Sequence, residues 1–120
     1  MVLVDTSVWI GHFRKYSPEL AELLDEATVL THPFVLGELA CGNMKNRGAV
    51  LSNLELLPAA VPSTQEETLR LIEDHRLWGR GIGWVDAHLL ASALLSNCAL
   101  WTFDERLDQA ASAAGVKRRQ

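Results

Sequence analysis

Val2-Leu3-Val4-Asp5-Thr6-Ser7 sets three aliphatic residues directly ahead of a carboxylate and two hydroxyls. An aliphatic run without polar alternation is how a strand reads when helices cover both of its faces. The end of such a strand is a poor place for an uncompensated charge, because moving a carboxylate out of water without partners is costly. Three chemistries would put an acid there: an aspartic-protease Asp-Thr-Ser loop, an aspartyl-phosphate site, or a metal-binding carboxylate beyond a parallel strand.

Similar short strand signals recur downstream. Thr28-Val29-Leu30-Thr31 is rich in β-branched residues, Ala59-Ala60-Val61 lies between Pro58 and Pro62, and Cys98-Ala99-Leu100-Trp101-Thr102 follows the turn-forming Ser96-Asn97. Between them the apolar period becomes helical. Ser17-Pro18 is an N-cap with proline at the first helical position, ahead of the stripe Leu20, Leu23, Leu24 and Ala27. Pro33 opens a helix that Gly42 ends, and Leu51, Leu54 and Leu57 keep i, i+3 spacing up to Pro58. Ser63-Thr64-Gln65-Glu66 has the form of a capping box. Further helices are expected over Trp84–Ser96 and over Glu105–Ala114, the latter stopped by Gly115. Strands alternating with helices predict an α/β fold, a three-layer α/β/α sandwich around a central, mainly parallel sheet of four to five strands.

The chain has 120 residues, 48% of them hydrophobic and 22% charged, values that predict one globular domain over residues 1–120. No apolar run is long enough for a membrane span, the N-terminus lacks the pattern of a signal peptide, and Cys41 and Cys98 have neither C-x-x-C nor metal spacing. Buried free thiols in a cytoplasmic protein are the expectation. A net charge of −4 is the wrong sign for a protein that holds phosphates through a general basic surface. Any acidic polymer would have to be met by local basic patches, such as Arg14-Lys15, Lys45-Asn46-Arg47 or Arg76 with Arg80, or through a bound cation.

Two further acids interrupt otherwise apolar helices: Glu38 in Pro33–Cys41 and Asp86 in the first turn after Gly83. Asp104 follows the last strand signal as Asp5 follows the first, and in open α/β sheets ligands bind beyond the carboxyl ends of the strands. Singly, each has an ordinary explanation: a first-turn acid favoured by the helix dipole for Asp86, an N-cap for Asp104, an ion pair or exposed edge for Glu38. Together, four carboxylates in one cleft would raise one another's pKa unless cations neutralised them, and an all-oxygen donor set suits Mg²⁺ or Mn²⁺. The competing chemistries fail on specifics. An aspartic protease is β-rich, a haloacid-dehalogenase-type phosphatase needs a second Asp where Ser7 stands, and a receiver domain needs a Lys that does not occur between Lys45 and Lys117.

Val4-Asp5-Thr6-Ser7-Val8-Trp9-Ile10, Glu38 within Leu-Gly-Glu-Leu-Ala-Cys-Gly, Asp86 within Gly-Ile-Gly-Trp-Val-Asp-Ala-His-Leu-Leu-Ala-Ser-Ala, and Trp101-Thr102-Phe103-Asp104-Glu105-Arg106-Leu107 occur in that order. This set resembles the PIN-domain ribonucleases, most closely the VapC toxins of type II toxin–antitoxin systems, and the resemblance covers nearly the whole chain. It implies that Asp5, Glu38, Asp86 and Asp104 hold Mg²⁺ or Mn²⁺, that Thr6 or Ser7 orients ligands or metal-bound water, and that Thr102 hydrogen-bonds near the fourth acid. The implied reaction is endonucleolytic hydrolysis of RNA such as tRNA or rRNA by metal-activated water, which would inhibit translation. The implied partners are a VapB-type antitoxin, a second copy of the chain in a homodimer, and operator DNA only through the antitoxin. Many relatives carry another acid where this chain has Gly11-His12, and Glu105 and Asp108 compete as a fifth acid. A catalytically silent, protein-binding PIN-like module is the alternative, against which the retention of all four acids argues.

Other groups have plainer roles. His12, His32, His75 and His88 lack metal spacing and are expected at the surface or in partner contacts. Trp9, Trp78, Trp84 and Trp101 are expected in the core or a dimer interface, with Trp84 and Trp78 the best placed for RNA or a partner. Arg14, Lys15, Arg76 and Arg80 are candidate phosphate contacts.

Overall fold

The computed structural model describes residues 1–119. Its elements are β1 (Val2–Val4), α1 (Thr6–Arg14), α2 (Pro18–Asp25), β2 (Val29–Leu30), α3 (Pro33–Cys41), α4 (Arg47–Glu55), α5 (Gln65–His75), α6 (Trp84–Leu95), β3 (Ala99–Trp101) and α7 (Glu105–Ala113). The strands form one sheet in the order β2-β1-β3, and both pairings are parallel. Leu3 lies opposite Leu30 on one side and Leu100 on the other. The opening strand is thus the middle of the sheet, and its unbroken aliphatic character follows from helices covering both faces.

Among the described residues there are three strands rather than four or five. The Ala59 segment reaches the sheet through a single parallel bridge to Thr31, and Arg118 reaches it through another to Leu100. Pro58 and Pro62 flank the first of these and lack the N–H that would extend the ladder. The second lies in a run of basic residues without β-branched character. Each edge is still tied by two backbone bonds: Thr31 N–H to Pro58 O and Ala60 N–H to Thr31 O, and Leu100 N–H to Lys117 O and Arg119 N–H to Leu100 O.

The core is one cluster. Leu3 and Val4 meet Leu30, Leu89, Leu90, Leu100 and Leu107 there, all fully or almost fully buried. Emptying any of these leucines to alanine removes transfer energy and leaves a cavity, about 2–5 kcal/mol by analogy with other cores. α6 carries seven buried residues in a row from Ala87 to Ala93, which explains its lack of amphipathic contrast.

Several sequence expectations need correction. The segment after Asp5 is a helix, α1, which the local sequence pattern does not signal; Asp5 itself caps it by accepting the Ser7 N–H. The capping box sits one residue later than the Ser63-Glu66 pattern: Thr64 and Glu67 exchange bonds, while Ser63 turns inward to Thr68 and His88. Cys98 is buried but Cys41, the last residue of α3, is exposed.

His32 and His88 are buried rather than at the surface. His32 caps α3 by accepting the Phe34 N–H on Nδ1, and its Nε2 lies 3.0 Å from Ser92 Oγ. Burial, reinforced by the nearby His88, pushes its pKa down to about 4. The unfolded chain therefore binds the proton first. The stability held by neutral His32 is complete above about pH 6.5 and is lost as pH falls from there toward 4, by up to about 3 kcal/mol. Urea unfolding across that window is expected to show falling stability in the wild type and a flatter profile in His32→Gln; equal slopes would show that His32 is not the group responsible.

Candidate active site

Asp5 stands where the middle strand ends, its backbone N–H bonded to Trp101 O at the end of β3. Asp5 is 6% exposed and its side chain has no cationic partner among the described residues. It is held by hydroxyls instead. Ser7 Oγ donates to Oδ2 at 2.7 Å and Thr102 Oγ1 donates to the same oxygen at 2.8 Å, with the Ser7 N–H at 3.4 Å. Each hydroxyl in turn accepts a backbone N–H from the loop after β3: Phe103 to Ser7 Oγ and Asp104 to Thr102 Oγ1, both at 3.0 Å. This relay fixes one carboxylate oxygen and leaves Oδ1 without a protein donor among the described residues.

The other three acids arrive from three further elements. Glu38, exposed on α3, accepts from Thr6 Oγ1 at 2.8 Å, so the second residue of the Asp-Thr-Ser triplet ties α1 to α3. Asp86, half-buried in the first turn of α6, reaches back to the Gly83 N–H at 3.1 Å. Asp104 caps α7, accepting from the Arg106 and Leu107 N–H groups on Oδ1. Burial raises the Asp86 pKa above the ordinary aspartate value. The Gly83 N–H opposes that shift, and the charges of Asp5, Asp104 and Glu38 add to it. The four carboxylates thus share one electrostatic neighbourhood. Among the described residues the ion pairs are Arg118–Asp108 and Arg119–Glu19, so none of the four is neutralised by a basic side chain.

By donor chemistry and by charge this set fits a hard divalent cation. In their present rotamers the acids are each drawn to a separate donor, and among the described residues no three Asp, Glu, His or Cys side chains close on a common point.

The remaining candidates divide. Arg14 and Lys15 end α1 in solvent, and Arg14 lines a cavity that Glu38 also lines. Arg76 is the left-handed C-cap of α5 and accepts the Arg80 Nε–H on its carbonyl, so both lie near the glycine loop. Trp84 is 43% exposed and packs edge-on against His88; Trp78 is 59% exposed, whereas Trp9 and Trp101 are core residues. Asp108 is committed to Arg118, and Glu105 is exposed at the start of α7. A Cβ on Gly11 would come 3.2 Å from the Phe103 ring, and His12 accepts the Ser17 N–H.

One contact escaped the sequence reading. Gly81, at φ +79°, lies beneath the Arg106 side chain so closely that a Cβ would meet its Cδ at 2.7 Å. The left-handed backbone favours glycine there, and any Cβ would also push the exposed Arg106 side chain aside. The contact joins the loop ahead of Asp86 to the helix capped by Asp104, and only the three glycines Gly79, Gly81 and Gly83 hinted at it.

Residues 2–113 match the PIN domain family. The chain is 49% identical to proteins named Ribonuclease VapC32 from two strains of Mycobacterium tuberculosis, over 97% of its own length and 94% of theirs. The crystal structure of PAE2754 from Pyrobaculum aerophilum superposes with a TM-score of 0.62 at 18% identity, covering 98% of this chain and 82% of that one, which is a likeness of fold.

Proposed function

The chain belongs to the PIN domain family, in its VapC branch, and from that premise we propose that it is a Mg²⁺- or Mn²⁺-dependent endoribonuclease acting as the toxin of a VapBC-type pair. Residues 1–120 are read as one catalytic domain. Its substrate is RNA, of the tRNA or rRNA kind, cut in the cytoplasm so that translation stops. The companion antitoxin is a VapB-type protein that covers the acids. Among the described residues no helix is long and apolar enough to cross a membrane.

The observation that carries the reading is a set of four carboxylates from four elements, three of which add to the raised pKa of the fourth, Asp86, and none of which has a basic partner among the described residues. Asp5, Glu38, Asp86 and Asp104 would hold the cation. Bound there, the cation supplies the Lewis acidity that activates water and stabilises charge on the scissile phosphate. The chain's part is positional. Ser7 and Thr102 fix the Asp5 carboxylate, Thr6 fixes Glu38, and the Asp5 backbone joins the two strand ends. No side-chain nucleophile is needed, and the described histidines at positions 12, 32 and 88 each already accept or share a hydrogen bond through Nδ1.

Purified chain incubated with total RNA is expected to cleave it with Mg²⁺ or Mn²⁺ and to stop when EDTA is added, and expression without a partner is expected to arrest growth. Cleavage that ignores EDTA would remove the metal mechanism; a soluble, active chain with no growth phenotype would remove the toxin role.

A further inference from the structure

A cavity of about 710 Å³ opens beside Glu38, between the end of α1 and the segment that follows α3. That volume lies within the roughly 300–1,000 Å³ of sites that hold small ligands. Ile10, Phe13 and Met44 give it an apolar wall, Arg14 and Lys45 contribute cations, and Asn43 adds an amide. Arg14, Lys45 and Asn43 are exposed, and neither cation pairs with a carboxylate among the described residues. In a chain of net charge −4, two free cations beside an aromatic ring, next to an acid of the candidate active site, form a local exception to the overall sign.

Resting on the nuclease reading above, we propose that this cavity seats one unpaired nucleotide of the RNA strand adjacent to the bond being cut. Its base lies against Phe13 and Met44, its edge meets Asn43, and its phosphate is held by Arg14 and Lys45. Apolar and aromatic surface takes a base face, cations take the backbone, and an amide reads an edge; this combination serves single-stranded rather than helical RNA, whose bases are not splayed out. Glu38 sets the polarity. It repels a bare phosphate, so the nucleotide's phosphate sits at the Arg14–Lys45 end and the strand runs from there past Glu38 toward Asp5. The cavity thereby becomes a source of sequence preference, which the carboxylates alone cannot provide.

The test uses the full chain with Mg²⁺ and a short unstructured RNA oligonucleotide of randomised sequence. In the double variant Arg14→Ala/Lys45→Ala, KM is expected to rise about tenfold or more with a much smaller change in kcat. The salt dependence of log KM is expected to flatten by about 1.4, the value for two lost single-strand phosphate contacts. Arg70→Ala, an exposed cation on α5, is the control and leaves KM unchanged. Sequencing the products is expected to show a base preference at one position flanking the cut, weakened in Phe13→Leu, which retains apolar volume, and in Asn43→Ala.

If the wild type cleaves and the double variant keeps its KM and salt slope, the cavity proposal is overturned while the nuclease reading stands. Loss of antitoxin binding with RNA kinetics intact would assign the cavity to a protein partner and overturn it likewise. A wild type that cleaves no RNA under any metal condition fails the nuclease reading itself.

Discussion

Asp5→Asn is expected to lower metal-dependent RNA cleavage by roughly 10³-fold, about 4 kcal/mol of transition-state stabilisation, while leaving the circular dichroism spectrum and Tm close to wild type. The substitution is isosteric and keeps an oxygen that can accept from both Ser7 Oγ and Thr102 Oγ1, so the tie between the two strand ends survives. With that oxygen engaged, the amide nitrogen takes the place of Oδ1 and presents two protons where an anion had been. A group that donates cannot ligate a cation. The loss should appear in kcat at saturating Mg²⁺, because more metal does not restore the missing ligand. Retention of more than about a tenth of the wild-type rate would remove Asp5 from the metal set.

Asp86→Asn should separate function from stability in opposite directions. The folded-state pKa of Asp86 lies above its ordinary value, first through burial and then through Asp5, Asp104 and Glu38, so the folded chain holds this proton to higher pH than the unfolded chain does. The sign follows. Below the unfolded pKa of about 3.9 ionisation contributes nothing, and as pH rises through the folded value the cost of the charge is incurred in full. At neutral pH without metal, the wild type therefore carries a penalty that asparagine does not, and Asn can still accept the Gly83 N–H. Metal-free Asp86→Asn is expected to melt a few degrees above wild type at pH 7, with the gap closing toward pH 4, yet to be inactive. Adding Mg²⁺ should raise the wild-type Tm and leave the variant nearly unmoved, since ligand stabilisation grows with occupancy. A variant that melts below wild type at neutral pH in EDTA would contradict the account of the acids as an uncompensated cluster.

The parts of this site that were legible in the sequence share a physical cause. Val2–Val4 reads as a buried strand because a strand covered on both faces needs no polar alternation, and Glu38 and Asp86 stand out because each interrupts an apolar helix without a sequence-local partner. What was not legible depends on contacts between distant segments. α1 is hidden because Asp5-Thr6-Ser7 serves at once as strand end, helix cap and site: the cap is the Asp5 carboxylate itself, and the two hydroxyls bond carboxylates rather than the helix end. The inward turn of Ser63 and the burial of His32 and His88 arise from packing between α3, α5 and α6, which no local pattern encodes. The Arg106–Gly81 contact and the cavity beside Glu38 are likewise products of assembly; the sequence shows the glycines and the cations, but not that they meet.

The central claim is that Asp5, Glu38, Asp86 and Asp104 together hold one kind of ligand, a divalent cation. Its most direct test is a Mn²⁺ titration followed by the EPR signal of the free ion, on the wild type and on single neutral variants. The account predicts saturable binding in the wild type, weakened in Asp5→Asn, Glu38→Gln, Asp86→Asn and Asp104→Asn by more than the roughly 10- to 100-fold that loss of a ligand's outer-shell partner costs, and unchanged in Glu105→Gln and Asp108→Asn. Binding that is absent from the wild type, or that survives in Asp5→Asn and Asp86→Asn, would contradict it.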